Sequence, residues 1–227
     1  VLWSSLGVGL LVLVAGSLLI PLGLSNALLA IILGTIIGSL LLALAGNIGS
    51  DHGIPTMVSV RPSFGIVGSY LPSVLNIFQL LGWTIFEIII MAQSADFITK
   101  TLLGFSSFPA WAAFFTIVVA LMAIGGPIVV IRQWLEKFAI WLVYGTSIWI
   151  IYSIAVNYNL MELFARPGSG GMTFLTGLDL VIAMPVSWMP LAADYNRFAI
   201  RTRGAFSGTF LGYNLANIWF YTLGALL

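Results

Sequence analysis

The sequence predicts an all-α membrane protein that crosses the bilayer seven times, and three observations carry that prediction. Hydrophobic residues fill 60% of the 227 positions and charged residues 7%, with a mean hydropathy of +1.11, a balance that no water-soluble domain of this size needs. Apolar segments of about 18 to 25 residues, the length needed to cross roughly 30 Å of hydrocarbon, follow one another along the chain. Their apolarity is continuous rather than alternating, which argues against the strands of a membrane barrel. Eight Lys and Arg against seven Asp and Glu give a net charge of +1 and no basic patch, so a nucleic-acid partner is not expected. The chain has no cysteine, and its single histidine, His52, has no helix-spaced partner ligand, which leaves no thiolate or histidine metal site to propose.

The spans are expected at residues 3–21, 24–46, 70–97, 107–131, 136–156, 177–196 and 204–227. The chain opens Val-Leu-Trp, with neither an initiator Met nor a charged leader, so its first apolar segment is read as a span whose preceding residues are missing rather than as a signal peptide. Within it Gly7, Gly9, Gly16 and Ser17 weaken the helix. Span 2 carries Gly34-Thr-Ile-Ile-Gly38, small residues four apart that let another helix approach closely, and the motif is read as packing. The connection from Gly46 to Ser69 holds Asp51, His52, Pro55 and Arg61 and is expected to be a loop with short interfacial helices, Asp51 and His52 being solvated.

Span 3 holds the most informative residue. Glu87 lies inside Leu80-Leu-Gly-Trp-Thr-Ile-Phe-Glu-Ile-Ile-Ile-Met-Ala92, and a carboxylate in hydrocarbon costs about 2.5 to 3.5 kcal/mol on insertion scales, so such a group usually faces a polar path or a ligand. Asn76, Gln79, Trp83 and Glu87 recur at spacings of three or four, which in a helix puts them on one face opposite an apolar one. A polar stripe inside a membrane helix suggests a solute site. Spans 4 and 5 are apolar and joined through Arg132 and Lys137; the connection from Asn157 to Thr176 contains Arg166-Pro-Gly-Ser-Gly-Gly. In span 6, Pro185 and Pro190 each remove a backbone donor and clash with the preceding turn, so a break is expected near Ser187 and Trp188.

Orientation follows from the basic residues. Arg61, Arg132, Lys137, Arg197, Arg201 and Arg203 fall on one side and Lys100 and Arg166 on the other, which puts the even-numbered connections and the N-terminus in the cytoplasm. Spans 1 and 6 occupy equivalent places if residues 1–156 form a first repeat of five helices and 177–227 begin a second, all within one transmembrane domain. Interrupted spans at equivalent places in two repeats are a sequence pointer to a transporter site.

The segments Gly53-Ile-Pro-Thr-Met-Val-Ser-Val-Arg-Pro-Ser-Phe-Gly65, Gly68-Ser-Tyr-Leu-Pro72, Gly82-Trp83 and Ala193-Asp-Tyr-Asn-Arg-Phe198 resemble the cytosine/purine permease branch of the nucleobase-cation symport family. The resemblance implies the leucine-transporter-type fold of about twelve helices, ten of them in two inverted five-helix repeats with helices 1 and 6 unwound at the midplane, so that this chain would be a fragment ending after helix 7. It implies substrate held between a helix 3 aromatic, matched by Trp83, and helix 6. One turn on, some members carry glutamine where this chain has Glu87. A carboxylate accepts hydrogen bonds when ionised and also donates when protonated, which matches the amino and ring-nitrogen edge of an aminopyrimidine such as cytosine or hydroxymethylpyrimidine, or of a purine, better than the all-carbonyl edge of uracil or hydantoin.

Ser187 matches a position where cytosine carriers have a substrate-binding serine. An aromatic that some members carry nine residues before Asp194 is replaced here by Pro185, and Trp188 stands six before it; the resemblance keeps Trp188 among the substrate candidates with Gln79 and Gly9. The coupling ion that the family implies is sodium, held by helix 1 backbone near Gly7 and Gly9 together with helix 8, which lies beyond this sequence; a proton exchanged at Glu87 is the alternative ion. No other cofactor is expected. Asp194, with Arg197 three residues on in reach of i,i+3 pairing and Arg201 beyond it, is assigned a structural or gating role, as are Arg197 and Arg61.

The combined expectation is a multi-pass protein of the plasma membrane that imports a nucleobase or aminopyrimidine by cation symport and alternating access, without covalent chemistry. An intramembrane enzyme would need a nucleophile with its base, or a metal constellation, and the residues offer neither. A channel would favour rings of polar residues from several subunits, and a structural membrane subunit would leave Glu87 unexplained. Oligomeric state is unreadable from the sequence.

Overall fold

The computed structural model describes residues 2–124, 126 and 137–227, which form helices throughout. In chain order these are α1 Leu2–Leu6, α2 Leu10–Ser17, a 3-10 turn Ile20–Leu22, α3 Leu24–His52, α4 Thr56–Ser59, α5 Arg61–Gly68, α6 Tyr70–Leu103, α7 Phe108–Ile124, α8 Ile140–Asn157, α9 Leu160–Ala165, α10 Phe174–Val186, α11 Met189–Asn196 and α12 Thr202–Leu226. Every expected span coincides with one helix or a broken pair. The end of span 4 and Arg132 lie outside the described residues.

Two helices run past their expected ends for the same reason. Apolarity stops near Gly46 in span 2 and near Asp96 in span 3, but α3 continues to His52 and α6 to Leu103, each closed by a glycine in the left-handed region, Gly53 at φ 68° and Gly104 at φ 67°. Apolar pattern marks the bilayer; a left-handed glycine marks the helix end. At 1.5 Å per residue α6 is about 51 Å long, more than the hydrocarbon alone requires. Asp51 and His52 are exposed, as expected, but they belong to the last turn of α3, where Asp51 accepts a hydrogen bond from the Thr202 hydroxyl.

The chain divides into two compact units, one of Val1–Ser69 with Ile140–Leu227 and the other of Tyr70–Ala139. In the first, α3 is the central helix, packed by α10, α11 and α12, while α1 and α2 lie along α12. Glycines set these crossings. A β-carbon on Gly34 would stand 2.8 Å from the Val181 Cβ, and one on Gly38, Gly46 or Gly49 would collide with Pro185, Asn196 or the Ala193 backbone. The Gly34–Gly38 pair is thus a packing surface for the broken helix 6.

The apolar interior of this unit is built from Val12, Ala15, Leu19, Ala27, Ile31, Val181 and Tyr221 toward one end and from Trp3, Leu42, Ala192 and Tyr213 toward the other. Between them, Asn217 donates to the Thr35 hydroxyl at 2.8 Å and Asn214 to Ser39, tying α12 to α3. In an apolar medium a buried carboxamide needs such a partner, which is why these polar residues face a neighbouring helix rather than lipid.

The second unit is the pair α6 and α7. Asp96, in the last third of α6, accepts from the Ser107 N–H at 2.6 Å and from the Ser106 hydroxyl, and so supplies the N-terminal cap of α7 from the neighbouring helix. The Trp111 indole donates to Thr99 at 3.2 Å one turn further on.

Candidate functional site

The expected site residues fall into two groups, one in each compact unit. On α6, Gln79, Trp83 and Glu87 are half-buried and Asn76 is buried, while Leu75, Ile77, Phe78, Leu81, Ile85 and Phe86 on the other faces are exposed. The polar stripe read from the spacing is therefore the least exposed face of its helix. The Trp83 ring meets Phe86 edge to face, with ring centroids 6.3 Å apart. Among the described residues the Glu87 carboxylate has no hydrogen bond and no ion pair, and the buried Asn76 carboxamide oxygen has no donor. Pairing of Glu87 with a neighbouring helix, the structural alternative for such a residue, is not what these residues form.

The second group lies on the two interrupted helices. Helix 1 breaks at Gly7, Val8 and Gly9, between α1 and α2, while Gly16 and Ser17 remain helical. The two glycines at the break differ: a β-carbon on Gly7 would lie 2.8 Å from the Ala216 Cβ, whereas one on Gly9 would meet nothing nearer than the Leu11 nitrogen at 3.9 Å. Gly9 has φ −177° and ψ 159°, extended backbone that any residue adopts. Packing needs Gly7 and makes no demand on Gly9. Among the described residues no backbone N–H reaches the carbonyls of Leu6, Gly7 and Val8, so the break presents free acceptors.

Helix 6 breaks at Ser187 and Trp188, between α10 and α11, as its prolines dictate. Pro185 is seated on Gly38, and Pro190, having no N–H, leaves the Val186 carbonyl without its helical donor. The Ser187 hydroxyl donates to the Met184 carbonyl at 2.6 Å. Trp188 packs against the cluster of Trp3, Leu42, Ala192 and Tyr213, so much of its indole is committed to the interior of its own unit.

Asp194 and Arg197 do not pair with each other. Instead Asp194 accepts from the Thr56 N–H at 3.0 Å while the Thr56 hydroxyl accepts from the Ala193 N–H at 3.1 Å, a reciprocal clamp that holds α4 against α11. Arg197 lies over the Phe198 ring at 4.8 Å, and Arg61 is exposed at the start of α5. Two residues the sequence reading passed over prove central to these ends. Thr56 is one; the other is Asn196, which accepts from the Trp3 indole and donates to Thr209. Asn196 stands inside the Ala193–Phe198 motif, three residues after Ala193 on the face that meets Gly46 and Gly49, and that spacing was the available signal.

The sequence matches, over residues 1–227, the family described as permease for cytosine/purines, uracil, thiamine, allantoin. It is similar to a Bacillus subtilis protein classed as a purine-cytosine permease, YxlA, at 28% identity over 99% of this chain and 49% of the relative. It also resembles the hydantoin permease of Microbacterium maritypicum, at 26% over 69% of this chain and 32% of the relative, and the allantoin permease of Bacillus subtilis, at 23% over 86% and 44%. The chain spans a third to a half of the length of these curated relatives. Its fold is that of Mhp1, a nucleobase-cation-symport-1 family transporter, in a closed conformation with bromovinylhydantoin bound: TM-score 0.86 at 24% identity, covering 99% of this chain and 52% of that one. The inward-facing conformation of Mhp1 superposes with a TM-score of 0.83, over 99% and 51%. The chain belongs to the cytosine/purine permease family, within the nucleobase-cation symporters.

Proposed function

We propose that the protein is part of a secondary active importer of an aminated nucleobase or related aminopyrimidine, driven by cation symport and alternating access in the plasma membrane, with its N-terminus in the cytoplasm. The observation that carries this reading is the α6 face on which Trp83 stands one turn from a Glu87 that has no partner among the described residues. An indole face and a carboxylate one turn apart match a flat heterocycle and its hydrogen-bonding edge. The ring stacks on Trp83, and Glu87 accepts from an exocyclic amine or protonated ring nitrogen.

Ser187 and the free carbonyls at the two helix breaks supply further polar contacts, and the helix 1 carbonyls near Gly7 and Gly9 contribute to the co-transported ion. Sodium is the ion proposed, with a proton carried on Glu87 as the alternative. No covalent step is involved; the relative classed as a purine-cytosine permease supports the aminated class, while the hydantoin and allantoin permeases support only the broader class of small nitrogen heterocycles.

The test is uptake of radiolabelled cytosine by cells expressing the complete coding sequence, with and without sodium, against unlabelled hydroxymethylpyrimidine, adenine, uracil and hydantoin. Saturable, sodium-dependent uptake inhibited by the aminated bases supports the reading. No uptake and no competition by any base removes it.

A further inference from the structure

Three buried side chains join the ends of both broken helices. Trp3 on α1 is 4% exposed, Asn196 at the end of α11 is 4% exposed and Thr209 on α12 is fully buried. The Trp3 indole N–H donates to the Asn196 carboxamide oxygen at 2.8 Å, and the Asn196 amide donates to the Thr209 hydroxyl at 2.9 Å. The Thr209 hydroxyl donates to the Ala205 carbonyl at 2.7 Å. An indole can only donate, so the direction of the chain is fixed and the carboxamide cannot be reversed. A β-carbon on Gly46 of α3 would collide with the same carboxamide, so the group is enclosed as well as bonded. The Trp3 ring also meets Tyr195 and Tyr213 edge to face at 5.8 and 6.4 Å. Two residues before Asn196, the Asp194–Thr56 clamp anchors the same short helix to the connection after α3.

We propose that Asn196 is a positioning residue that couples half-helix α1 to half-helix α11, so that the break at Gly7–Gly9 and the break at Ser187–Trp188 are held in one arrangement and change together. The physical ground is the cost of separation. Moving α1 away from α11 strips an indole N–H and a carboxamide oxygen of their partners inside an apolar bundle, whereas moving α1, α11 and α12 together leaves the Trp3–Asn196–Thr209 bonds intact. A break held only by glycine flexibility would let α1 swing alone. With Asn196 in place, α1, α11 and α12 move as one body at this end. The function of the coupling rests on the transport reading above, but the coupling itself is a property of the bundle and is measurable without substrate.

The experiment places spin labels at Ser5→Cys and Ser207→Cys, on α1 and α12, in the full-length protein in lipid nanodiscs, with any other cysteine removed, and reads the distance distribution by electron–electron resonance. Wild type and Thr209→Ser, which keeps the hydroxyl that accepts from Asn196, are expected to give one narrow distance. Asn196→Leu and Trp3→Phe are expected to broaden it, and to lower maximal uptake about tenfold while KM changes less than about threefold. Trp3→Phe carries the test if Asn196→Leu does not fold, because it removes one N–H and keeps an aromatic ring. A narrow, wild-type distance in Trp3→Phe and Asn196→Leu overturns the proposal, and so does broadening in Thr209→Ser equal to that in Asn196→Leu. An absence of uptake in wild type with the expected distances would overturn the transport reading and leave the coupling standing.

Discussion

In the bundle, the buried polar side chains of Trp3, Thr35, Asn196, Thr209 and Asn217 each bond to a residue of another helix, whereas on α6 Trp83 and Glu87 make no hydrogen bond among the described residues. Both groups stand in helices long and apolar enough to belong in a membrane, or packed against such helices. The same physical rule governs both: a polar group in apolar surroundings is retained only if something meets its cost. For these bundle residues a side chain of another helix meets it, and the result is architecture. On α6 no described residue meets it for Glu87, and under the proposed function a ligand does.

The strongest way to break the comparison is to attack the bundle where it has no slack. Gly49→Leu puts a side chain where the Ala193 backbone already lies, and overpacking of about 3 kcal/mol or more is expected to leave little folded, monodisperse protein in size-exclusion chromatography. Gly145→Ala, at a helical glycine with nothing within 4 Å, is expected to elute as wild type. On α6 the expectation reverses. Trp83→Leu is expected to weaken base binding by roughly 1 to 3 kcal/mol, the scale of base–aromatic stacking, with the melting temperature unchanged, as read by equilibrium binding of cytosine and thermal unfolding on the same sample.

Asp96 sharpens the contrast, because it is an acid on α6 that does have a partner. Asp96→Ala removes the cap of α7 and is expected to cost about 1 kcal/mol, lowering the melting temperature by about 2 to 4 °C while leaving cytosine affinity as it was. The smallest effect belongs to the pair joining α12 to α3. A double-mutant cycle of Thr35→Val and Asn217→Leu is expected to give a coupling near 0.6 kcal/mol, since helices in lipid find alternative partners for such groups.

The parts of this fold that local chemistry decides were readable from residues: the positions of the helices from apolar length, the break in helix 6 from Pro185 and Pro190, and the single polar face of α6 from the spacing of Asn76, Gln79, Trp83 and Glu87. Those that depend on a distant segment were not. Nothing local distinguishes Gly7, which the neighbouring Ala216 requires, from Gly9, which packing leaves open, and nothing local says that Asp194 turns to the Thr56 N–H rather than to Arg197. Asp96 is a further case, because its cap lies eleven residues on, across a turn. Asn196 was hidden inside a recognisable motif, since its partners Trp3 and Thr209 come from the first and last helices. The expected ends of spans 2 and 3 fell short because apolarity reports the bilayer and says nothing of where a helix is capped.

The most direct test of the central claim is the effect of Glu87→Gln on two properties of one purified full-length preparation, its affinity for cytosine and its melting temperature. A carboxylate held for a ligand predicts a loss of about 1.5 to 3 kcal/mol in binding, tenfold to roughly 150-fold, with no loss of thermal stability. Unchanged affinity together with a lowered melting temperature would contradict the account and make Glu87 a structural residue.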